Sequence, residues 1–218
     1  MTTLCVGISQ IDTTVGAFSA NAARIVAEIG TARRQGVELL VFPELALCGC
    51  PPEDLLLSPA FQAAAADALA EVAQAVPAGM VVVLGTVTAT AGLHNSAVVL
   101  EGGAVRHVYH KIHLPNCSVF DEGRYFEPGR EVLICTVKDI PFAITICEDM
   151  WQPAGPWVDA VCVGRARLII NLSASPYYTG KVAKRETLFA MRACACRVPV
   201  VFANLVGAQD EIVFDGSS

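Results

Sequence analysis

The 218-residue chain has no basic run, no long apolar run and no C-x2-C pair, and each absence removes a class of function. Fifteen Lys and Arg against 21 Asp and Glu give a net charge of −6. Lys181, Lys184, Arg185, Arg192 and Arg197 are interspersed with apolar residues, which argues against a nucleic-acid partner. No uninterrupted apolar stretch reaches about 18 residues, which argues against a membrane span. Residues 1–11, MTTLCVGISQI, lack a basic start, so no signal peptide is visible and the cytoplasm is the expected compartment. The nine cysteines are odd in number and scattered, unlike the framework of a small secreted domain. Cys48-x-Cys50 and Cys194-x-Cys196 lack zinc-site spacing, and a helical pattern sets Cys194 and Cys196 on opposite faces, so no metal is expected.

Charge is scarce as well. Only 17% of residues are charged and 54% are hydrophobic, so much of the backbone must be covered on both faces. That suits a layered α/β domain. Strand and helix signals alternate accordingly. TLCVGISQI (3–11), VELLVF (37–42), GMVVVLGTV (79–87), NSAVVLE (95–101) and AVRHVYHKI (104–112) read as strands, the last two joined by a Gly102-Gly103 turn. Residues 19–35, 59–76, about 156–164 and about 182–196 read as helices. EVLICTV, PFAITIC and ARLIINL supply further strands, and VPVVFANLV and DEIVFDG close the chain. The loop LPNCSVFDEGRYFEPG (114–129) is long and aromatic, which marks it as functional. No linker, repeat or low-complexity segment divides the chain, and one domain accounts for all of it.

Three reactive residues stand just past apolar strands: Glu44 after VELLVFP, Lys111 at the end of AVRHVYHK, and Cys147 after PFAITI, followed at once by Glu148 and Asp149. Strand ends are where layered α/β domains build sites. Together the three would make an acyl-transfer centre. A thiolate is the nucleophile and needs a neighbouring base or cation to lower its pKa. A carboxylate moves the proton. A lysine, with the backbone N–H after the cysteine, stabilises the oxyanion. Such a thiol is expected to be labelled ahead of the other eight cysteines. A Cys–His pair is the weaker rival. His110 points away from the face of Lys111 in a strand, and only His113 shares it.

The stretches FPELALCGCPPEDLLL, KIHLPNCSVFDEGRYFEPG, ICEDMW, NLSASPYYTGK and GAQDEIVFDG resemble the carbon–nitrogen hydrolase (nitrilase) superfamily, and within it the glutaminase domains of glutamine-dependent NAD synthetases. The resemblance implies a four-layer α-β-β-α sandwich, here C-terminally truncated, with residues 1–218 forming an incomplete hydrolase domain. It implies that Cys147 attacks the carboxamide of glutamine to form a thioester, that Glu44 is the base and acid, and that Lys111 stabilises the oxyanion. Glu122 matches a second glutamate that orients the others. Phe120, Glu148, Ser175 and Lys181 fall at positions that bind glutamine, Lys181 suiting its carboxylate. The chain departs from the family at Cys50 and Cys117, where tyrosines are usual; both rings would line the glutamine pocket, and their loss would widen it. No Ser-Gly-Gly-x-Asp-Ser loop or P-loop is present. ATP and magnesium would therefore belong to a separate synthetase domain or subunit, and this domain itself needs no cofactor. Homo-oligomers are also implied. The alternatives are a free-standing amidase acting on another small amide and a silent domain kept for assembly.

Overall fold

The path of VELLVF sets the layering. In the computed structural model, which describes residues 3–116 and 119–218, strand β2 (Leu39–Val41) is buried on both faces. Leu40 and the following Phe42 point to one apolar core, Leu39 and Val41 to another. A strand wrapped on both sides must be apolar throughout, which is why this stretch shows no alternation.

β2 lies second in a five-stranded sheet of order β1 (Val6–Ile8), β2, β3 (Val81–Ala89), β4 (Leu93–Glu101) and β5 (Ala104–His110). The first three are parallel; β4 and β5 fold back antiparallel. A second sheet runs β6 (Ile134–Val137), β7 (Ile140–Ile146), β8 (Leu168–Ser173), β9 (Val200–Asn204). Its β7, β8 and β9 are parallel.

The two sheets pack face to face. Val83, Val99 and Tyr109 of one meet Phe142, Ile144, Ile170 and Leu172 of the other. Helices α1 (Phe18–Arg34) and α2 (Pro59–Ala75) cover the outside of the first sheet through Ile25, Ile29, Ala65 and Val72. The second sheet is covered by a one-turn helix α3 (Glu148–Trp151), α4 (Pro156–Cys162) and α5 (Lys181–Cys196), with Met150, Trp157 and Phe189 against Ile169. The four layers are α-β-β-α, as the resemblance implied. No helix among the described residues is long and apolar enough to cross a membrane.

Expected and observed ends differ by a few residues: β4 begins at Leu93 rather than at 95, and β3 runs Val81–Ala89 rather than 79–87. β1 forms over three residues rather than 3–11, because it is an edge strand whose one partner, β2, stops before Pro43. Arg185, read from sequence as part of a loose basic cluster, is instead 2% exposed. Its guanidinium forks onto both carboxylate oxygens of Asp215 at 3.1 and 2.8 Å. It thereby pins α5 to the closing hairpin of β10 (Val206–Gln209) and β11 (Ile212–Asp215).

Candidate active site

Glu44 reaches the sheet ends because a glycine lets it. The chain leaving β2 crosses β3 at Gly85, where a Cβ would collide with Pro43 O and come within 2.6 Å of Leu45 N and 2.7 Å of Glu44 Cα. Leu47 N–H donates to Gly85 O at 3.1 Å across this contact. Leu45 next to it takes φ +51°, a conformation that non-glycine residues hold only where their surroundings enforce it. The Glu44 side chain that results is 2% exposed and hydrogen-bonded through both oxygens. Its Oε1 accepts Lys111 Nζ at 2.7 Å and Asn95 Nδ2 at 2.8 Å, and its Oε2 accepts the Ala174 N–H at 2.8 Å.

Lys111 follows β5 directly and is 1% exposed. Its backbone is held between Asn95 O, which accepts its N–H at 2.9 Å, and Gly129 N–H, which donates to its carbonyl at 2.7 Å. Its ammonium lies 2.7 Å from both Glu44 Oε1 and Glu122 Oε1. Burial works against that charge, but Glu44 and Glu122 outweigh it and hold the ammonium well above the usual lysine range. Glu122 sits in a 3-10 turn, Glu122–Arg124, in the aromatic loop. Burial pushes its carboxyl up to about 7, against the pull of Lys111 and with Glu44 adding to the rise. Two carboxylates and one ammonium thus share a buried pocket, and Glu122 is poised to hold a proton near neutrality.

Cys147 occupies an elbow between β7 and α3, with φ +40° and ψ −97°. Its N–H donates to Leu172 O at 2.7 Å, tying the elbow to the neighbouring strand. Burial, then Glu44, pushes the thiol well above the ordinary cysteine range, against the pull of Lys111. This corrects the expectation of a lowered pKa. Cys147 is also only 6% exposed, whereas Cys5, Cys162 and Cys194 lie open to solvent. Burial and Glu44 thus favour the neutral thiol over the thiolate at Cys147.

A cleft reaches Cys147. It is lined by Phe120, Glu148, Trp151, Ser175, Tyr178 and Lys181, among others. Lys181 Nζ stands 4.1 Å from the Trp151 ring centre and 5.2 Å from that of Tyr178, a cation laid on aromatic faces. Glu148 accepts Gln152 Nε2 at 2.6 Å. Ser175 is buried, with its N–H donated to Asn204 Oδ1 at 2.8 Å. A second cavity, about 90 Å3, touches Glu44 and Glu122 but not Cys147, with Leu45, Cys50, Leu56, Phe120 and Phe126 in its walls. All eight sequence-selected residues therefore line one of two cavities or bind one another. Phe120 borders both. Cys50 belongs to the cavity beside the carboxylates, not to the cleft that holds Lys181. Cys117 lies outside the described residues.

His110 stands away from the thiol. Its ring stacks on His94 at 4.0 Å and its Nδ1 meets Ser96 Oγ at 2.8 Å. Cys48 points its sulfur at the carbonyls of Leu45 and Gly49, not at Cys50. Sequence reasoning missed Asn95, Ala174 and Asp149. Only a polar residue opening a buried strand, Asn95 in NSAVVLE, could have signalled the first.

The carbon–nitrogen hydrolase family model matches residues 5–218. The glutamine-dependent NAD(+) synthetase of Thermotoga maritima is 41% identical over 219 residues, covering 100% of this chain and 38% of that protein. The one from Xylella fastidiosa is 44% identical, covering 99% and 40%. The solved structure of the Acinetobacter baumannii glutamine-dependent NAD+ synthetase superposes with a TM-score of 0.92 at 33% identity, over 97% of this chain and 40% of that one. A nitrilase-superfamily amidase from Nesterenkonia shares the fold at a TM-score of 0.84 and 20% identity, over 97% and 79%. The chain spans about two fifths of the curated relatives' length. With a buried Glu44–Lys111–Cys147 set at three strand ends and a family match over nearly every residue, the chain belongs to the carbon–nitrogen hydrolase family.

Proposed function

We infer that this domain hydrolyses the side-chain amide of glutamine and supplies the ammonia to a synthetase domain or subunit that amidates deamido-NAD. The observation that carries the reading is a cleft lined together by Cys147, Glu148 and the ring-stacked Lys181. A cation and an anion suit the carboxylate and ammonium of an amino acid. The likeness to glutamine-dependent NAD synthetases in sequence supports the same reading. A free-standing amidase for simple amides has no use for that charged pair.

Glu44 Oε2 accepts one N–H, from Ala174, and keeps a second lone pair for the thiol proton. Cys147 Sγ bonds to the carboxamide carbon as that proton passes to Glu44. The carbonyl oxygen becomes an oxyanion beside the Lys111 ammonium. Glu44 returns the proton to nitrogen, the C–N bond breaks, and ammonia leaves a glutamyl thioester. Water, deprotonated by Glu44, then attacks the thioester, releasing glutamate and restoring the thiol. The domain's own step needs no cofactor; ATP and magnesium belong to the synthetase reaction. The cytoplasm is its compartment and a homo-oligomer its assembly.

Ammonia release from glutamine, asparagine and simple amides, measured side by side, tests the reading. Glutamine should be preferred, and Cys147→Ala should lose about 10^4-fold or more, as expected for a nucleophile working within a unit. Release within tenfold of the parent in that variant removes the nucleophile; preference for a simple amide selects the amidase.

A further inference from the structure

Of the two carboxylates that follow Cys147, Glu148 lines the cleft and Asp149 does not. Asp149 is 0% exposed, and no cation pairs with it among the described residues. Four donors from two strand ends close around it instead. Oδ1 accepts the Ile112 N–H at 3.2 Å and the His113 N–H at 2.9 Å. Oδ2 accepts the Ile146 N–H at 2.9 Å and the Tyr109 O–H at 2.7 Å. A buried carboxylate survives only when its acceptor positions are filled, and these four fill them.

The donors come from the segments that carry the reacting groups. Tyr109, Ile112 and His113 flank Lys111, while Ile146 precedes Cys147. β5 and β7 lie in different sheets, so no strand ladder sets one end against the other. Apolar packing between sheets is non-directional and leaves room to slide; hydrogen bonds to one carboxylate do not. The Ile146 bond also closes directly over Cys147, whose positive φ persists only if its surroundings over-determine it.

We propose that Asp149 is a positioning residue that clasps the Lys111 strand end to the Cys147 elbow and so sets the distance between ammonium and thiol. The kinetic part of the test rests on the glutaminase reading; the exchange part does not. Asp149→Ala should speed amide hydrogen exchange at Ile112, His113 and Ile146, and unchanged exchange at all three overturns the clasp without any substrate. In the folded fraction of that variant, kcat for glutamine should fall about a hundredfold, the cost of a misplacement near 1 Å, with KM within threefold. A purely structural role lowers the melting temperature and leaves kcat per folded molecule alone, and that outcome overturns the proposal. If Asp149→Ala does not fold, Tyr109→Phe removes one donor and keeps the carboxylate. Its kcat should fall about three- to tenfold at unchanged KM, and parental kcat there counts against the clasp. A parent that releases no ammonia from glutamine refutes the glutaminase reading and leaves the exchange result to decide the clasp.

Discussion

Asn95 and Glu44, 51 positions apart in the chain, meet side chain to side chain at 2.8 Å. The same Asn95 accepts the Lys111 N–H through its backbone carbonyl. One residue of β4 thus holds Glu44 by its side chain and Lys111 by its main chain. Asn95→Ala removes only the first contact. A hydrogen bond to a charged group is worth about 1.5–3 kcal/mol, so kcat for glutamine should fall about ten- to a hundredfold. Asn95→Asp should lose more at pH 7, by adding a carboxylate against Glu44 and Glu122, and should recover in part at lower pH. Steady-state kinetics on both variants checks this; an alanine variant within twofold of the parent contradicts it.

Lys111→Arg should not substitute for lysine. The ammonium fits between Glu44 and Glu122 at 2.7 Å to each, in a pocket with 1% exposure. A planar guanidinium is wider and would displace one carboxylate or the substrate oxygen. The expected loss in kcat is about a hundredfold or more, by analogy with removing an oxyanion donor. Near-parental turnover would refute the role.

Glu122 should make stability depend on pH in an unusual direction. Its carboxyl titrates near 7 in the folded protein and at the ordinary 4.5 when unfolded. Between those values the folded state holds a proton that the unfolded state has lost, so this group's contribution falls as pH rises from about 4.5 to 7. Glu122→Gln removes that slope. Melting temperatures of parent and variant at pH 5 and pH 8 should show the variant gaining relative to the parent at the higher pH. An identical difference at both values rejects the assignment.

Gly85→Ala should harm the site more than its size suggests. The added Cβ meets backbone atoms of Pro43, Glu44 and Leu45, which have no flexible end to move aside. The loop must shift, at a cost of about 1–3 kcal/mol for overpacking, and Glu44 shifts with it. A melting curve should show the loss of stability, and activity per folded molecule should fall at least tenfold. Gly30→Ala, within α1 and with only Arg34 Nη1 at 3.7 Å, serves as the control for a glycine lost without collision.

Much of the site was legible because its chemistry is local. A carboxylate, a lysine and a thiol each follow an apolar run at once, and composition alone demanded strands covered on both faces. The helices fell within a few residues of their expected ends, since their apolar spacing and the prolines and glycines beside them are local too. What escaped was contact between distant segments. Asn95 is a short polar residue whose side-chain partner lies 51 positions away, and three of the four donors to Asp149 lie 36 to 40 positions away; no spacing rule connects such pairs.

The sequence by itself determined which groups can react and that each stands at the mouth of a buried strand. Tertiary structure alone decided their protonation. The thiol that a nearby lysine should have acidified is pushed the other way, because burial and Glu44 together outweigh one ammonium. Glu122 rises toward neutrality for the same reason. Desolvation depends on what every other segment packs over a group, and that sum over the whole fold is written at no single position of the chain.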